Sequence, residues 1–228
     1  MNKIAWVTGG RGGIGSAVVT ALENMKYRVY TVGENEENDL RVDLSNDEHV
    51  EFMIKEKAYS VLPDVIVTCH AAPAMAPIEE TIALDLLGVH RVCKHFISKM
   101  IKNKWGRIIN LTSYHSSVTY PERHGYAGAK SGVRGYSRSL ALTLAKHNIT
   151  VNCIAPGPIE TPRTRKFIKE GLIDEDRILK RTPLRRLGQP EDIANMVAYL
   201  ASDKAEFITA QEFIVDGGYS ASAYPDDY

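Results

Sequence analysis

Cysteine is scarce in this chain of 228 residues, and its placement excludes two common uses of thiols. Cys69, Cys93 and Cys153 are widely separated and form no CxxC pair. A disulfide framework needs more cysteines, and a structural zinc site needs ligands at short paired spacings. We therefore expect three buried free thiols and no metal site.

Net charge and long apolar runs are lacking as well. The 28 basic and 28 acidic residues cancel, which argues against a nucleic-acid partner because sequence-independent attraction to phosphate backbones needs excess positive charge. No apolar run approaches the roughly 20 residues that span a membrane. The first apolar run, residues 4–7, is also far too short for a signal peptide. These absences predict a soluble cytoplasmic protein without a membrane partner.

What the chain does contain is short β-rich runs that alternate with segments of helical periodicity. This alternation is typical of βαβ units, whose right-handed crossovers build a mainly parallel sheet with helices on both faces. The predicted strands are 3–7, 28–32, 40–42, 65–67, 107–111, 150–154 and 212–215. The predicted helices are 14–25, 47–57, 80–104, 124–147 and 190–202. The sequence therefore predicts an α/β fold with a doubly wound parallel sheet of about seven strands.

Two connections depart from this regular alternation. Residues 33–39 are too few for a helical crossover, which normally needs a dozen or more residues, so we expect a loop there. Residues 163–186 form one long stretch between predicted elements, and such stretches inside a compact domain are usually functional. No repeat, linker or shift of composition divides the chain. We expect a single domain over residues 1–228 with a substrate lid at about 160–188.

A glycine-rich segment, residues 8–15, follows the first predicted strand directly. Glycines at this place let the backbone approach a pyrophosphate, whose negative charge is favoured by the N–H groups and dipole of the next helix. The segment can be parsed as Gly10-x-Gly12-x-x-Gly15 or as Gly9-x-x-x-Gly13-x-Gly15. We favour the second, because the strand then ends two positions before the first glycine. The alternative is a glycine-rich turn without a ligand.

Charged residues near the end of the second strand bear on the choice between NAD and NADP. An acidic residue about 20 positions beyond the loop would bind the adenosine ribose of NAD, whereas an arginine would suit the 2′-phosphate of NADP. Gly33 occupies this place and Glu34 follows, with Glu36 and Glu37 close by, and these carboxylates would repel a phosphate. Arg11, inside the glycine loop, would attract one. The two signals oppose each other, and we favour NAD.

Tyr126 and Lys130 are spaced i, i+4, so both side chains lie on one face of a predicted helix. Ser113 follows the fifth predicted strand, and ligands of open α/β sheets bind at such strand ends. A free tyrosine has a pKa near 10, and a nearby ammonium favours its phenolate form. Tyr126 would then exchange a proton with the substrate while Ser113 donates a hydrogen bond to the same oxygen. The alternative is an ordinary surface tyrosine and lysine.

Together these residues resemble the short-chain dehydrogenase/reductase family over residues 3–218. The family patterns TGxxxGxG and Ser, YxxxK match at Thr8, Gly9, Gly13, Gly15, Ser113, Tyr126 and Lys130. The resemblance implies a Rossmann-type dinucleotide-binding domain that carries NAD or NADP and interconverts a secondary alcohol and a ketone on a small-molecule substrate. It also implies a homo-oligomer, either a dimer or a tetramer.

Further segments extend the resemblance. Residues 152–161 resemble the family's NxIxPGxIxT segment, which implies that Ile159 and Thr161 face the nicotinamide carboxamide and the phosphates. Asp43-Leu44 resembles the family's adenine-contacting aspartate, and residues 187–194 and 215–218 resemble its closing pattern. Besides Tyr126 and Lys130, the predicted cofactor contacts are Gly9, Arg11, Gly13, Ile14, Gly15, Glu34, Asp43, Leu44, Ala71, Pro156, Gly157, Ile159 and Thr161.

The chain departs from the family pattern near the fourth strand. Residues 68–71 read Thr-Cys-His-Ala where most members have Asn-Asn-Ala-Gly. Asp85 stands in the place of the family's fourth catalytic residue, an asparagine that holds a water of the proton relay. A carboxylate could bind that water, and it would stabilise Lys130 as an ammonium if the two were close. Only about a dozen residues separate Ala72 from Asp85, so we expect a truncated helix before it.

These departures motivate a rival function, a non-catalytic dinucleotide-binding sensor or scaffold on the same fold. A second rival is a dehydratase or epimerase that uses a transient carbonyl at the same site. The oxidoreductase is favoured over both because the serine, tyrosine and lysine are all present.

The substrate pocket is expected between the stretch after Ser113, the loop after Ala71 and the lid. Tyr114, His115, Tyr120 and His124 would make it polar and aromatic, which favours a hydroxylated, sugar-like substrate over a steroid or long acyl chain. His115 is a candidate second acid or base, the alternative being an ordinary surface histidine.

The lid carries a set of basic residues: Arg163, Arg165, Lys166, Lys169, Arg177, Lys180, Arg181, Arg185 and Arg186. Two arginines turned inward could bind a carboxylate or phosphate; otherwise these charges form a solvated helix face.

Overall fold

The computed structural model of the chain describes residues 3–58, 61–73 and 75–221. Within these residues seven strands are present: β1 Ile4–Thr8, β2 Arg28–Gly33, β3 Leu40–Arg41, β4 Val65–Thr68, β5 Gly106–Leu111, β6 Ile149–Pro156 and β7 Glu212–Val215. They form one sheet in the order β3-β2-β1-β4-β5-β6-β7, and every pair of neighbours is parallel. The predicted doubly wound sheet is confirmed, with no strand end displaced by more than two residues.

Eight α-helices surround the sheet in the described ranges: α1 Gly13–Asn24, α2 Asp47–Met53, α3 Ile78–Ile82, α4 Gly88–Asn103, α5 His124–Leu144, α6 Pro162–Lys169, α7 Glu175–Arg181 and α8 Pro190–Ala201. A π-helical turn, Ala83–Leu87, joins α3 to α4 and carries Asp85. The segment predicted as one helix over 80–104 therefore contains a widened turn, and the helix before Asp85 is short, as expected. Residues 34–39 connect β2 to β3 without a helix.

Residues 160–188, the predicted substrate lid, contain α6 and α7, which the sequence pattern did not predict as helices. Both have clear start signals, because the side chains of Thr161 and Asp174 accept hydrogen bonds from backbone N–H groups of the first turn. Neither helix has a buried residue, however. Helices are recognised in a sequence mainly by a periodic apolar face, and these two helices present none to the core.

The core has one apolar layer on each face of the sheet. On one face, Trp6 of β1 packs against Phe96 of α4 with ring centroids 4.3 Å apart. On the other face, Val7 belongs to a cluster with Val18 of α1 and Ile193 of α8. Neighbouring strand residues are buried on opposite faces, and every residue of β4, β5 and β6 is buried. This packing holds the carboxyl ends of β1, β4, β5 and β6 at one edge of the sheet.

The three cysteines are free, as expected. Cys93 and Cys153 are buried, whereas Cys69 is only partly buried at the end of β4. Burial raises the pKa of each thiol to about 12, so none is a thiolate near neutral pH.

Candidate active site

The glycine loop between β1 and α1 has a backbone that larger residues could not adopt. Gly9 has a φ of +64°, in the left-handed region, and a side chain there would press on the backbone of His70. A Cβ atom on Gly15 would lie 2.1 Å from the carbonyl oxygen of Gly9. No side chain caps α1, whose first N–H groups also lack partners within the helix. The loop therefore offers close backbone approach and hydrogen-bond donors to a pyrophosphate.

Two adjoining cavities meet at this loop, as an extended dinucleotide requires. The first, of about 460 Å³, is lined by predicted cofactor residues: Gly9, Arg11, Gly13, Ile14, Gly15, Ala71, Tyr126, Lys130, Pro156, Gly157, Ile159 and Thr161. The second, of about 580 Å³, is lined by others: Gly9, Arg11, Glu34, Asp43, Leu44 and Ala71. Arg11 and Glu34, the two opposing signals for cofactor choice, thus border the same cavity. All predicted cofactor residues lie on one or both cavities.

Ser113, Tyr126 and Lys130 line the first cavity together, beyond the glycine loop. The Nζ atom of Lys130 lies 5.6 Å from the centroid of the Tyr126 ring and 3.5 Å from the carbonyl oxygen of Leu111. Ser113 follows β5, and its hydroxyl accepts a hydrogen bond from the N–H of His115 at 3.2 Å. Helix α5 brings the tyrosine and lysine to the strand end that carries the serine. A hydroxyl, a phenol and an amino group therefore line one cavity.

Asp85 is fully buried beneath this group. Its Oδ1 atom accepts a hydrogen bond from the N–H of Ala72 at 2.6 Å, and its Oδ2 atom lies 3.6 Å from Nζ of Lys130. Lys130 is itself only 3% exposed. Oδ2 has no hydrogen-bond partner among the described residues, so it can still accept one. Asp85 and Lys130 thus form a buried ion pair at the edge of the first cavity.

His70 links the end of β1 to the turn that carries Asp85. Its Nε2 atom lies 3.1 Å from the carbonyl oxygen of Leu84, which can only accept, so Nε2 carries the hydrogen. Nδ1 then accepts a hydrogen bond from the hydroxyl of Thr8 at 2.5 Å. Burial, with repulsion from Lys130, lowers the pKa of His70 to about 4. The residue that departs from the family pattern is a neutral bridge at neutral pH.

This bridge predicts a specific loss of stability in acid. The pKa of His70 is about 4 in the folded protein and about 6.5 when unfolded, so between these values the unfolded chain binds more protons. The contribution of neutral His70 to the free energy of unfolding is therefore fully present above about pH 6.5. It falls by up to roughly 3 kcal/mol as the pH approaches 4. His70→Gln, which can still accept and donate, should remove this component. Urea midpoints of both proteins from pH 7 to pH 4 provide the measurement, and equal pH slopes would contradict the assignment.

A third cavity, of about 780 Å³, opens beside Tyr126 and is lined largely by aromatic rings and the lid. His115 packs edge-on against Tyr126 with ring centroids 5.6 Å apart, and Tyr114 packs against Tyr219 at 5.2 Å. The hydroxyls of Tyr120 and Tyr219 are hydrogen-bonded. The predicted polar and aromatic surroundings are present, although His124 is exposed at the start of α5 and does not line this cavity.

Burial, with repulsion from Arg123, lowers the pKa of His115 to about 4. The imidazole is therefore neutral near pH 7 and can accept a proton only weakly. Its Nδ1 atom lies 3.3 Å from the hydroxyl of Thr119. The position beside Tyr126 suits His115 to contact with a substrate.

Tyr219 and Glu212 were missed by sequence reasoning. Tyr219 lies just beyond the closing pattern, and only the fold brings it to the aromatic cavity. The Glu212 carboxylate accepts hydrogen bonds from the hydroxyls of Thr112 at 2.7 Å and Ser116 at 2.9 Å, on either side of Ser113. It also pairs with Arg134 of α5 at 3.4 Å. Glu212 therefore ties the serine segment to the helix of the tyrosine and lysine. No sequence motif marks this contact.

The described residues contain no cluster of three or more histidine, cysteine, aspartate or glutamate side chains that could hold a metal ion. The helices described in the structure also include none that is long and apolar enough to cross a membrane.

Comparison with known proteins shows similarity over nearly the whole chain. The model of a family described as "Enoyl-(Acyl carrier protein) reductase" matches residues 10–220. The 3-oxoacyl-[acyl-carrier-protein] reductase of Rickettsia felis is 31% identical, with 95% of this chain and 96% of the relative covered. The protein of the same name from Chlamydia trachomatis is 35% identical, with 96% and 97% covered.

Solved structures with bound dinucleotides resemble this fold closely. A 4-hydroxyisoleucine dehydrogenase complexed with NADH is 26% identical, with a TM-score of 0.89 and coverage of 96% of this chain and 99% of that one. ElxO with NADP bound is also 26% identical, with a TM-score of 0.89 and coverage of 97% and 100%.

Proposed function

Because the chain belongs to the short-chain dehydrogenase/reductase family, whose members are NAD(P)-dependent oxidoreductases, we propose that it interconverts a ketone and a secondary alcohol on a small polar substrate. The observation that carries this proposal is the convergence of Ser113, Tyr126 and Lys130 on the cavity that begins at the glycine loop. A proton-transfer group and a dinucleotide-binding loop would then lie beside the same bound substrate.

The three side chains have distinct roles in the proposed reduction. A nicotinamide dinucleotide held by the glycine loop, Ile159 and Thr161 would supply hydride to the carbonyl carbon. Tyr126 gives its hydroxyl proton to the carbonyl oxygen, and Ser113 donates a hydrogen bond to the same oxygen as negative charge develops there. Lys130 stabilises the phenolate that remains, and a proton from solvent restores the phenol. In the oxidation direction each transfer runs backwards, so atoms and charge balance in both directions.

In this proposal three groups of residues bind three parts of the dinucleotide. The backbone of the glycine loop and the start of α1 bind the pyrophosphate. Asp43 and Leu44, which line the second cavity, would border the adenosine end. Ile159 and Thr161, which line the first cavity, would border the nicotinamide end. The fit is supported by the glycine positions, where added side chains would strike backbone.

The preference for NAD that the sequence suggested gains no support from the comparisons. Similar solved structures include one described with NADH and others described with NADP and NADPH. Arg11 and Glu34 border the same cavity and act in opposite directions on a 2′-phosphate. The proposal is therefore for NAD(P), with the balance of these two side chains deciding the preference.

Titration of nicotinamide fluorescence tests directly whether the glycine loop binds a dinucleotide. We expect the protein to bind NADH or NADPH, and Gly15→Ala to weaken binding at least about 100-fold, because a methyl group cannot fit 2.1 Å from the Gly9 carbonyl without moving the loop. Gly135→Ala is the matched control, since a Cβ atom there meets nothing within 4 Å. Circular dichroism of both variants establishes that they fold. Absence of binding of either dinucleotide to the unaltered protein would refute the proposed function.

We also propose that residues 160–188 close over the substrate as a lid and that the chain forms a dimer or tetramer. The apolar faces of the predicted helices 80–104 and 124–147 are the candidate subunit contacts, and Leu87 and Leu142 in these segments are 41% and 76% exposed. A single domain and a cytoplasmic location stay predictions of the sequence.

A further inference from the structure

The arginines of the lid fall into two groups by their partners. Arg165 pairs with Glu160 at 2.7 Å and with Glu175 at 2.8 Å, and Arg186 pairs with Asp192 at 2.6 Å. Neither of these arginines lines the aromatic cavity beside Tyr126. Their charges are neutralised locally, so they are not available to a ligand.

Arg177 and Arg181 behave differently. Both line the aromatic cavity, and they lie one turn apart on the same face of α7 as Ile178, which also lines it. Within residues 3–58, 61–73 and 75–221, neither forms an ion pair. Arg181 is half-buried, its Nε atom donates to the carbonyl oxygen of Tyr219 at 3.3 Å, and its guanidinium lies 4.6 Å from the Tyr219 ring centroid. This guanidinium is therefore held at the cavity wall.

Among the described lining residues of this cavity, arginines outnumber carboxylates. Arg163 lines it together with Arg177 and Arg181, and the only carboxylate among the described lining residues is that of Asp174. Its Oδ1 atom already accepts a hydrogen bond from the N–H of Arg177 at 3.0 Å. A concave surface with several cations and one anion concentrates its field on the space inside. An anionic ligand would supply a counter-charge to Arg177 and Arg181, which have no ion pair among the described residues.

We propose that this cavity selects substrates in which the ketone or alcohol is accompanied by a carboxylate or phosphate group, which Arg177 and Arg181 bind. The inference rests on the proposed function, because the reacting carbon must lie at Ser113 and Tyr126, on the wall of the same cavity. Guanidinium groups suit both anions, since their parallel N–H donors match two oxygens at once. The reacting group and the anionic group would thus be held at two ends of one cavity.

Matched pairs of probes test this preference. The pairs are acetoacetate with methyl acetoacetate, and dihydroxyacetone phosphate with dihydroxyacetone, each assayed with whichever reduced dinucleotide binds. We expect kcat/KM to be at least about 10-fold higher for the anionic member of one pair, and the pair that shows it identifies carboxylate or phosphate. Isothermal titration of the same probes in the presence of oxidised dinucleotide gives dissociation constants that do not depend on turnover.

Variants then assign the effect to the arginines. Arg177→Gln and Arg181→Gln should each raise KM for the anionic probe about 10–100-fold and leave the neutral probe unchanged. Arg177→Lys should restore part of the loss. Lys169→Gln removes an equal charge from an exposed residue of α6 that does not line the cavity, and it should change neither probe.

Two outcomes would overturn the inference: equal kcat/KM and equal dissociation constants within both pairs, or equal losses for anionic and neutral probes in the arginine variants. Failure of the proposed function is distinguishable from these, because it would appear as absent dinucleotide binding, or as turnover of no probe by a protein that binds dinucleotide. If the protein turned over neutral ketones and showed no preference for the anionic probes, the selectivity for anionic substrates would be refuted and the proposed function would stand.

Discussion

Tyr126→Phe is expected to lower kcat by about 10²–10⁴-fold near neutral pH, with a much smaller effect on the affinity for the nicotinamide dinucleotide. The substitution removes the hydroxyl that exchanges a proton with the substrate oxygen and keeps the ring that packs against His115. Lys130 remains in place, because it is held by Asp85 and the Leu111 carbonyl rather than by the phenol. Steady-state rates and fluorescence titration on the same sample separate chemistry from binding.

Tyr199→Phe is a matched control for this experiment. Tyr199 is 42% exposed on α8 and lines none of the cavities at the site, so its loss of a hydroxyl should leave both kcat and affinity unchanged. If Tyr126→Phe kept more than about a tenth of the activity, Tyr126 would not be the acid or base. Undiminished dinucleotide binding by a protein that turns over no substrate would favour the sensor or scaffold instead.

Asp85→Ala is expected to lower the free energy of unfolding by about 3–5 kcal/mol, the largest stability effect at the site. Asp85 and Lys130 are 0% and 3% exposed, so removal of the carboxylate leaves a buried ammonium without its counter-charge. The N–H of Ala72 would lose its 2.6 Å acceptor as well. Chemical denaturation near pH 7 measures the change, provided that the transition is two-state.

Asp85→Asn separates the two contributions. The amide oxygen can still accept from Ala72, while the charge is lost, so we expect an intermediate destabilisation. Glu170→Ala is the control, because its pair with Lys166 is 3.8 Å long and exposed, and it should cost less than about 1 kcal/mol. A loss below about 1 kcal/mol for Asp85→Ala would show that the pair contributes little.

The parts of this protein that could be predicted from sequence are those encoded by neighbouring residues. The glycine loop could be predicted because three glycines within seven positions have steric reasons to follow a strand. Tyr126 and Lys130 could be placed on one helix face because helical spacing brings i and i+4 together. Helices α6 and α7 were not predicted, because they bury no apolar face, although their capping residues could have marked their first turns.

Other features depend on contacts between distant parts of the chain. His70 meets Thr8 across 62 positions, and Glu212 meets Thr112 across 100. Such pairs form only after parallel crossovers have aligned the strand ends at one edge of the sheet. Sequence spacing contains no measure of these distances, so the neutral histidine bridge and the glutamate beside Ser113 could not be inferred from motifs.

The sequence by itself determined the seven strands, the glycine cradle and the identity of the serine, tyrosine and lysine, because local periodicity and backbone sterics act between neighbours. Only the tertiary structure decided that Asp85 lies 3.6 Å from Lys130 and that Tyr219 closes the aromatic cavity. It also decided which arginines of the lid are paired and which line that cavity. Charge pairing and burial depend on separation in space, and packing of the helices against the sheet sets that separation.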